Sequence, residues 1–129
     1  MKIEHFALWV HNLEKMKAFY EKYFLATANA KYFNPKKNFS SYFLSFQGDC
    51  RLEIMQKPNI PDSKNDAHQQ FMGFIHFEIS LGSKEKVDAL TEQLRTDGYE
   101  IVGEPRTTGD GYYESVIFDP ENNRIEITS

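Results

Sequence analysis

The sequence has few of the features that mark disulfide-stabilised, nucleic-acid-binding or membrane proteins. Its 129 residues include one cysteine, Cys50, which excludes an internal disulfide and favours a reducing compartment. The formal charge is −4, and no basic stripe is present to neutralise phosphates. There is no apolar leader and no apolar run of about 18 residues. We therefore expect a soluble cytoplasmic protein that binds neither nucleic acid nor membrane.

What the chain does have is enough apolar residues for a core. Apolar residues make up 40% of the sequence and aromatic residues 15%, a composition that argues against disorder. The length of 129 residues is that of a single domain.

Two short stretches of the sequence occur twice. Arg51-Leu52-Glu53-Ile54 has a counterpart in Arg124-Ile125-Glu126-Ile127, and Glu4-His5-Phe6 has one in Ile75-His76-Phe77. The number of positions between the two histidines is close to the number between the two glutamates. The sequence therefore predicts one structural unit present in two copies, each with one histidine and one glutamate.

Hydrophobic periodicity predicts the order β-α-β-β-β for both copies. Module 1 covers residues 1–57, with strands at 3–10, 26–33, 41–46 and 51–56 and a helix at 13–24 capped by Asn12. Module 2 covers residues 74–129, with strands at 74–81, 99–103, 113–118 and 124–128 and a helix between Ser83 and Gly98. Residues 58–73 are predicted to be a polar connection, either a flexible linker or a lid over a site, with one short helical turn at 66–71.

Alternation along the strands sorts the side chains onto two faces. The apolar face is expected to pack against the helices, and its members are Phe6, Leu8, Val10, Leu52, Ile54, Ile75, Phe77, Ile79, Ile125 and Ile127. The opposite face carries His5, Glu53, His76 and Glu126. If the first and last strands of a module are neighbours, its histidine and glutamate lie side by side.

Two imidazoles and two carboxylates in one place can bind a divalent metal or form a hydrogen-bonded acid–base cluster. A single strand histidine is more often a packed or surface residue. The same pair occurring twice, in register and with the same preceding arginine two positions before each glutamate, favours the metal site.

In these motifs the chain resembles the vicinal oxygen chelate superfamily, which includes glyoxalase I, extradiol dioxygenases and bleomycin-resistance proteins. The motifs that carry the resemblance are residues 3–10, Asn12-Leu13 to Phe19-Tyr20, Gly111 to Ser115 and Asp119 to Ile127. The resemblance implies an α+β fold of two tandem β-α-β-β-β modules whose curled mixed sheets enclose a cleft. It covers the whole chain except the connection.

The metal-ligand pattern resembles bacterial-type glyoxalase I, a lactoylglutathione lyase. The resemblance implies that His5, Glu53, His76 and Glu126 bind one divalent ion: nickel or cobalt, zinc as in relatives, or manganese or iron, which the ligands also suit. It implies a metal-stabilised enediolate, with Glu126 as the proton shuttle and Glu53 as its symmetric partner. It also implies a homodimer acting on a small oxygen-chelating substrate, which is either a thiol conjugate or a simple metabolite.

The sequence departs from glyoxalase I at two places that concern substrate. Trp9 lies in the region where those enzymes carry an arginine for the glutathione carboxylate, and their asparagine shortly after the first metal glutamate is missing after Glu53. An acyl-CoA epimerase-like enzyme remains an alternative. So does a non-catalytic antibiotic-binding protein, with Trp9, Tyr42, Tyr112 and Tyr113 lining a cleft, although ordinary packing is the favoured role for these aromatics.

Other polar residues have simpler expected roles. Arg51 and Arg124 are expected to form cross-strand ion pairs with glutamates, the alternative being attraction of an anionic substrate. Glu78 faces the same way as His76 and is either a neighbour of the site or a solvated residue.

Overall fold

A strand, a helix and a run of further strands occur twice along the chain, with five strands in the first copy and four in the second, because the strand predicted at 26–33 is two short strands. The computed structural model describes residues 1–129. The elements are β1 (His5–Trp9), α1 (Leu13–Phe24), β2 (Thr27–Ala28), β3 (Tyr32–Asn34), β4 (Phe39–Ser45), β5 (Arg51–Gln56), β6 (Phe77–Ser80), α2 (Lys84–Thr96), β7 (Ile101–Thr107), β8 (Tyr113–Phe118) and β9 (Arg124–Thr128). They form two compact units, Met1–Asp62 and Ser63–Ser129.

The first unit is a mixed sheet with α1 on one face. The strand order is β1-β5-β4-β2, with β3 also paired to β4, and only β1 and β5 are parallel. The side chain of Asn12 accepts the backbone N–H of Lys15, as expected for the residue that begins a helix. Leu13, Met16 and Tyr20 are almost completely buried beneath the helix.

The second unit repeats this plan with the order β6-β9-β8-β7, in which only β6 and β9 are parallel. Ser83 caps α2, and Gly98 follows the helix with a φ of +88°, the left-handed conformation that glycine adopts without strain. Val87, Thr91 and Leu94 are buried, and the Thr91 hydroxyl lies 2.7 Å from the Ser115 hydroxyl.

The predicted division of faces is correct for the inner strands and only partly correct for the first strand of each unit. Leu52, Ile54, Ile125 and Ile127 are buried, but Phe6 is 38% exposed. The reason is that β1 and β6 are edge strands, whereas α1 packs over β4, β5 and β2, and α2 over β8, β7 and β9.

The connection also differs from its prediction in one respect. No helical turn forms at residues 66–71; instead the Asp66 carboxylate accepts the backbone N–H groups of His68 and Gln69. An aspartate that bonds its own downstream backbone competes with helix formation. Neither helix of the protein is long and apolar enough to cross a membrane.

Candidate metal centre

The first unit brings His5 and Glu53 together on adjacent parallel strands. Ala7 is the residue in register with Glu53, so His5 is two positions away on the same face. The Nε2 atom of His5 lies 3.8 Å from a carboxylate oxygen of Glu53. The glutamate side chain is mostly buried, and the histidine side chain is about one-third exposed.

Glu4 contacts the other nitrogen of the His5 ring, a role that the sequence did not reveal. Its carboxylate is hydrogen-bonded to Nδ1 of His5 and accepts from the Arg51 guanidinium, which lies over the Phe43 ring. These bonds, that of His5 first, lower the pKa of the Glu4 carboxyl. With Nδ1 occupied, Nε2 is left facing Glu53, the arrangement by which carboxylates orient metal-binding histidines. The ion pair expected for Arg51 is confirmed.

The second unit brings His76 and Glu126 together in the same way. His76 immediately precedes β6, and Glu126 lies on the neighbouring strand β9. The Nε2 atom of His76 is 3.2 Å from a carboxylate oxygen of Glu126. The β8–β9 turn fixes this strand, because the Asp119 carboxylate accepts the backbone N–H groups of Glu121 and Asn123.

Glu114 is a second carboxylate near Glu126 that the sequence did not single out. It lies on β8, two residue pairs along from the Val116–Glu126 pair and therefore on the same face of the sheet, and it is only 8% exposed. Arg106 donates to it at 3.1 Å. Burial above all, and then the charge of Glu126, raises the pKa of the Glu114 carboxyl against the lowering effect of Arg106. Nothing local in the sequence distinguishes it from an exposed strand glutamate.

The raised pKa of Glu114 has a consequence for stability. The folded protein keeps this proton at a higher pH than the unfolded chain does, so folding stability falls as the pH rises from about 4.5 through the raised pKa. We expect Glu114→Gln to remove this part of the pH dependence. Urea unfolding of both metal-free proteins between about pH 4 and 7 measures it; parallel curves would contradict the assignment.

A cavity of about 500 Å³ opens beside the His76–Glu126 pair within the second unit. The walls are formed by the residue pair itself, by Arg106 and Arg124, and by the irregular stretch of β7 around Gly103 and Glu104. Its volume is within the range of small-molecule sites. Unlike Arg51, Arg124 does not form the predicted ion pair: its guanidinium donates to the Ala67 carbonyl and lies over the Phe118 ring.

The geometry of each histidine–glutamate pair can be compared with that of metal ligands. Nitrogen and oxygen ligands about 2.1 Å from a metal lie about 3.0 to 3.4 Å apart. The His76–Glu126 distance of 3.2 Å falls within this range, and the His5–Glu53 distance of 3.8 Å is slightly longer. Neither unit by itself brings three or more His, Cys, Asp or Glu side chains together in a metal-binding group. Each unit therefore offers two suitable ligands, half of the predicted set.

The aromatics proposed as cleft residues separate into two groups. Tyr42 and Tyr113 reach the helices, where their hydroxyls donate to Glu14 and Asp88 respectively, so the packing role favoured for them is correct. Trp9 and Tyr112 are instead 42% and 53% exposed, and Trp9 makes an edge contact with Phe39. By strand alternation it lies on the His5 face of its sheet.

Comparison with known proteins supplies a family model and structural neighbours. The model for the Glyoxalase/Bleomycin resistance protein/Dioxygenase superfamily matches residues 2–127. A comparison with curated proteins gives no match.

Solved structures similar to the chain include three from the glyoxalase group. A glyoxalase family protein from Enterococcus faecalis is 23% identical with a TM-score of 0.77, covering 99% of this chain and 97% of its own. The trypanothione-dependent glyoxalase I of Leishmania major is 19% identical with a TM-score of 0.78, covering 100% and 86%. Glyoxalase I from Zea mays is 22% identical with a TM-score of 0.79, covering 98% and 44%. At these identities the likeness shows the fold alone, an α+β arrangement of two β-α-β-β-β-like mixed sheets.

Proposed function

Because the chain belongs to the glyoxalase/bleomycin resistance protein/dioxygenase superfamily, we propose that it is a divalent-metal-dependent lyase or isomerase similar to glyoxalase I. Its substrate is a small molecule with two adjacent oxygen atoms. The observation that carries the proposal is the His76–Glu126 pair, which lies at ligand-like separation beside a cavity of substrate size. The pair His5–Glu53 in the first unit provides the matching half.

The four side chains form one ligand set in this proposal, supplied by one chain or by the two chains of a homodimer. The donor set of two imidazoles and two carboxylates suits Ni, Co, Zn, Mn or Fe. A bound divalent ion supplies Lewis-acid stabilisation of the negative charge that develops on the substrate oxygens.

The protein's own residues have separate tasks in the reaction. Glu126 lines the cavity and is the group that we assign to accepting a proton from one substrate carbon and returning it to the next. Glu53 is its counterpart in the first unit and is mostly buried. Glu4 is a positioning residue, because it holds the His5 ring with Nε2 facing Glu53.

A non-catalytic binding protein is the second candidate function. The observation in its favour is the exposed Trp9, whose edge contact with Phe39 leaves an aromatic surface on the same sheet face as His5. Such a protein would bind a flat ligand and would not depend on a metal.

Metal titration separates these two functions. Chelator-treated protein is incubated with Ni, Co, Mn or Zn, desalted and analysed for metal content. We expect one tightly bound ion per set of four ligands, lost in Glu53→Ala and retained in Glu92→Gln, which removes an exposed carboxylate of α2 paired with Arg95. Hemithioacetals of α-keto aldehydes and acyl-CoA thioesters are then assayed as substrates. If the wild-type protein retains no metal, the proposed enzyme function is wrong and the binding function remains.

A further inference from the structure

Two arginine side chains share the cavity of the second unit with His76 and Glu126. Arg106 comes from β7 and Arg124 from β9, the strand that also carries Glu126. A guanidinium offers several N–H donors in a planar fork that matches a carboxylate or phosphoryl group. The contacts of each arginine show how much of this donor capacity the protein uses itself.

Arg106 is bound to the protein through one nitrogen and is otherwise largely exposed. One of its terminal nitrogens donates to the buried Glu114 carboxylate at 3.1 Å, while the side chain as a whole remains 53% exposed. The cavity wall beside it is glycine: a Cβ on Gly103 would lie 3.2 Å from the other terminal nitrogen of Arg106 and 3.1 Å from Val116. The absence of a side chain at Gly103 therefore leaves the guanidinium room at the cavity wall.

Arg124 has a buried donor that the protein does not use. One terminal nitrogen donates to the Ala67 carbonyl at 3.1 Å, and the guanidinium lies 5.3 Å from the centre of the Phe118 ring. Its Nε atom is buried and has no hydrogen-bond partner. Buried N–H groups in folded proteins are nearly always paired, so Arg124 keeps donor capacity that its contacts within the protein do not satisfy.

The acidic residues around the cavity do not neutralise both arginines. Glu104 lines the cavity but accepts from Arg95 at 2.7 Å. Glu126 is the metal ligand of the proposed function, and Glu114 serves Arg106 alone. Arg124 has no carboxylate partner, so its positive charge is available to an anion in the cavity.

We propose that Arg106 and Arg124 form an oxyanion-binding subsite for the carboxylate or phosphoryl group of a small substrate. The assignment rests on the proposed function in one respect, since it makes that substrate an anionic molecule whose charged group lies beside its metal-chelating oxygens. The cavity of about 500 Å³ limits the substrate to a small metabolite or to the reacting end of a larger conjugate.

Anion binding to the chelator-treated protein tests the subsite without the metal. Acetate, methylphosphonate and uncharged acetamide are titrated into ¹⁵N-labelled protein, and the Nε–H resonances of the arginines are followed by NMR. We expect saturable shifts of the Arg124 resonance with one or both anions and none with acetamide. The stronger of the two anions identifies the group as carboxylate or phosphoryl. No saturable shift with either anion would overturn the subsite.

Variants assign the binding to the two arginines. Arg106→Gln removes an exposed side chain, and Arg124→Lys keeps the charge but removes the planar fork, so both are expected to fold. Loss of one charge-assisted hydrogen bond should weaken anion binding about tenfold. Lys86→Gln, which removes one positive charge from the exposed surface of α2, should leave it unchanged. Equal affinities in Arg106→Gln, Arg124→Lys and Lys86→Gln would refute the subsite.

The result of the anion-binding experiment is independent of the result of the metal titration. An anion that binds to a protein unable to retain metal would support the subsite while the proposed enzyme function fails. Metal retention without anion binding would keep the enzyme function and overturn the anionic class of substrate.

Discussion

Replacement of Glu126 by alanine is expected to lower turnover by about 10² to 10⁴-fold and to abolish tight metal binding. The first effect follows from the loss of the group that moves the substrate proton. The second follows from the loss of one of two ligands that the second unit supplies, 3.2 Å from His76. Because the Glu126 side chain lies on the sheet face opposite the core and keeps 20% exposure, the protein should still fold.

The variants Glu126→Gln and Glu92→Gln complete this experiment. Glutamine keeps the shape of Glu126 but neither carries the charge nor accepts a proton, so its turnover should fall nearly as far. Glu92→Gln removes an exposed carboxylate far along the sequence and should behave as wild type. Turnover on the substrate found in the screen, metal content after desalting and thermal unfolding are measured together. A Glu126→Ala protein that keeps its metal and its turnover would show that the proposed centre is wrong.

Ile127→Ala is expected to have the largest effect on stability, a loss of about 3 to 4 kcal/mol in the free energy of unfolding. Ile127 is completely buried on β9, which lies between β6 and β8 beneath α2. Truncation there removes buried apolar surface and leaves a cavity that the flanking strands cannot fill.

Ile79 provides a matched control for this experiment, because it pairs in register with Ile127 on the parallel strand β6. It lies on an edge strand and is only half-buried, so Ile79→Ala should cost roughly 1 kcal/mol. Urea unfolding followed by circular dichroism gives both values. Equal losses of unfolding free energy in the two variants would mean that Ile79 on β6 is buried as fully as Ile127 on β9.

Strand and helix order could be predicted from the sequence because both signals are local. Alternation at Arg51–Gln56 and Arg124–Thr128 and helical spacing at Leu13–Phe24 depend only on nearby residues, and the structure has these three elements within the predicted limits. The start of β6 could not be placed, since residues 74–76 have the alternating pattern without pairing to a neighbour.

The candidate site could be predicted only in part. Within each unit the histidine and glutamate are adjacent, because the first and last strands are parallel neighbours, a condition that the sequence could state but not establish. The joining of the two pairs into one centre stays a prediction, as do the metal, the homodimer and the substrate. Metal titration and the Glu53 and Glu126 variants address the first two of these.

By itself, the sequence determined that His5 and Glu53 share one face of their sheet, and His76 and Glu126 one face of theirs, because side-chain direction in a strand depends on position alone. Only the tertiary structure decided which neighbours these residues acquire. The burial of Glu114 depends on the register of β8 against β9, and the contact of Glu4 with His5 depends on the arginine that β5 places beside it. Arg124 has the same sequence context as Arg51 but no carboxylate within reach, so it meets Ala67 and Phe118 instead. The partners of Arg51 and Arg124 are residues distant in sequence, which no local pattern records.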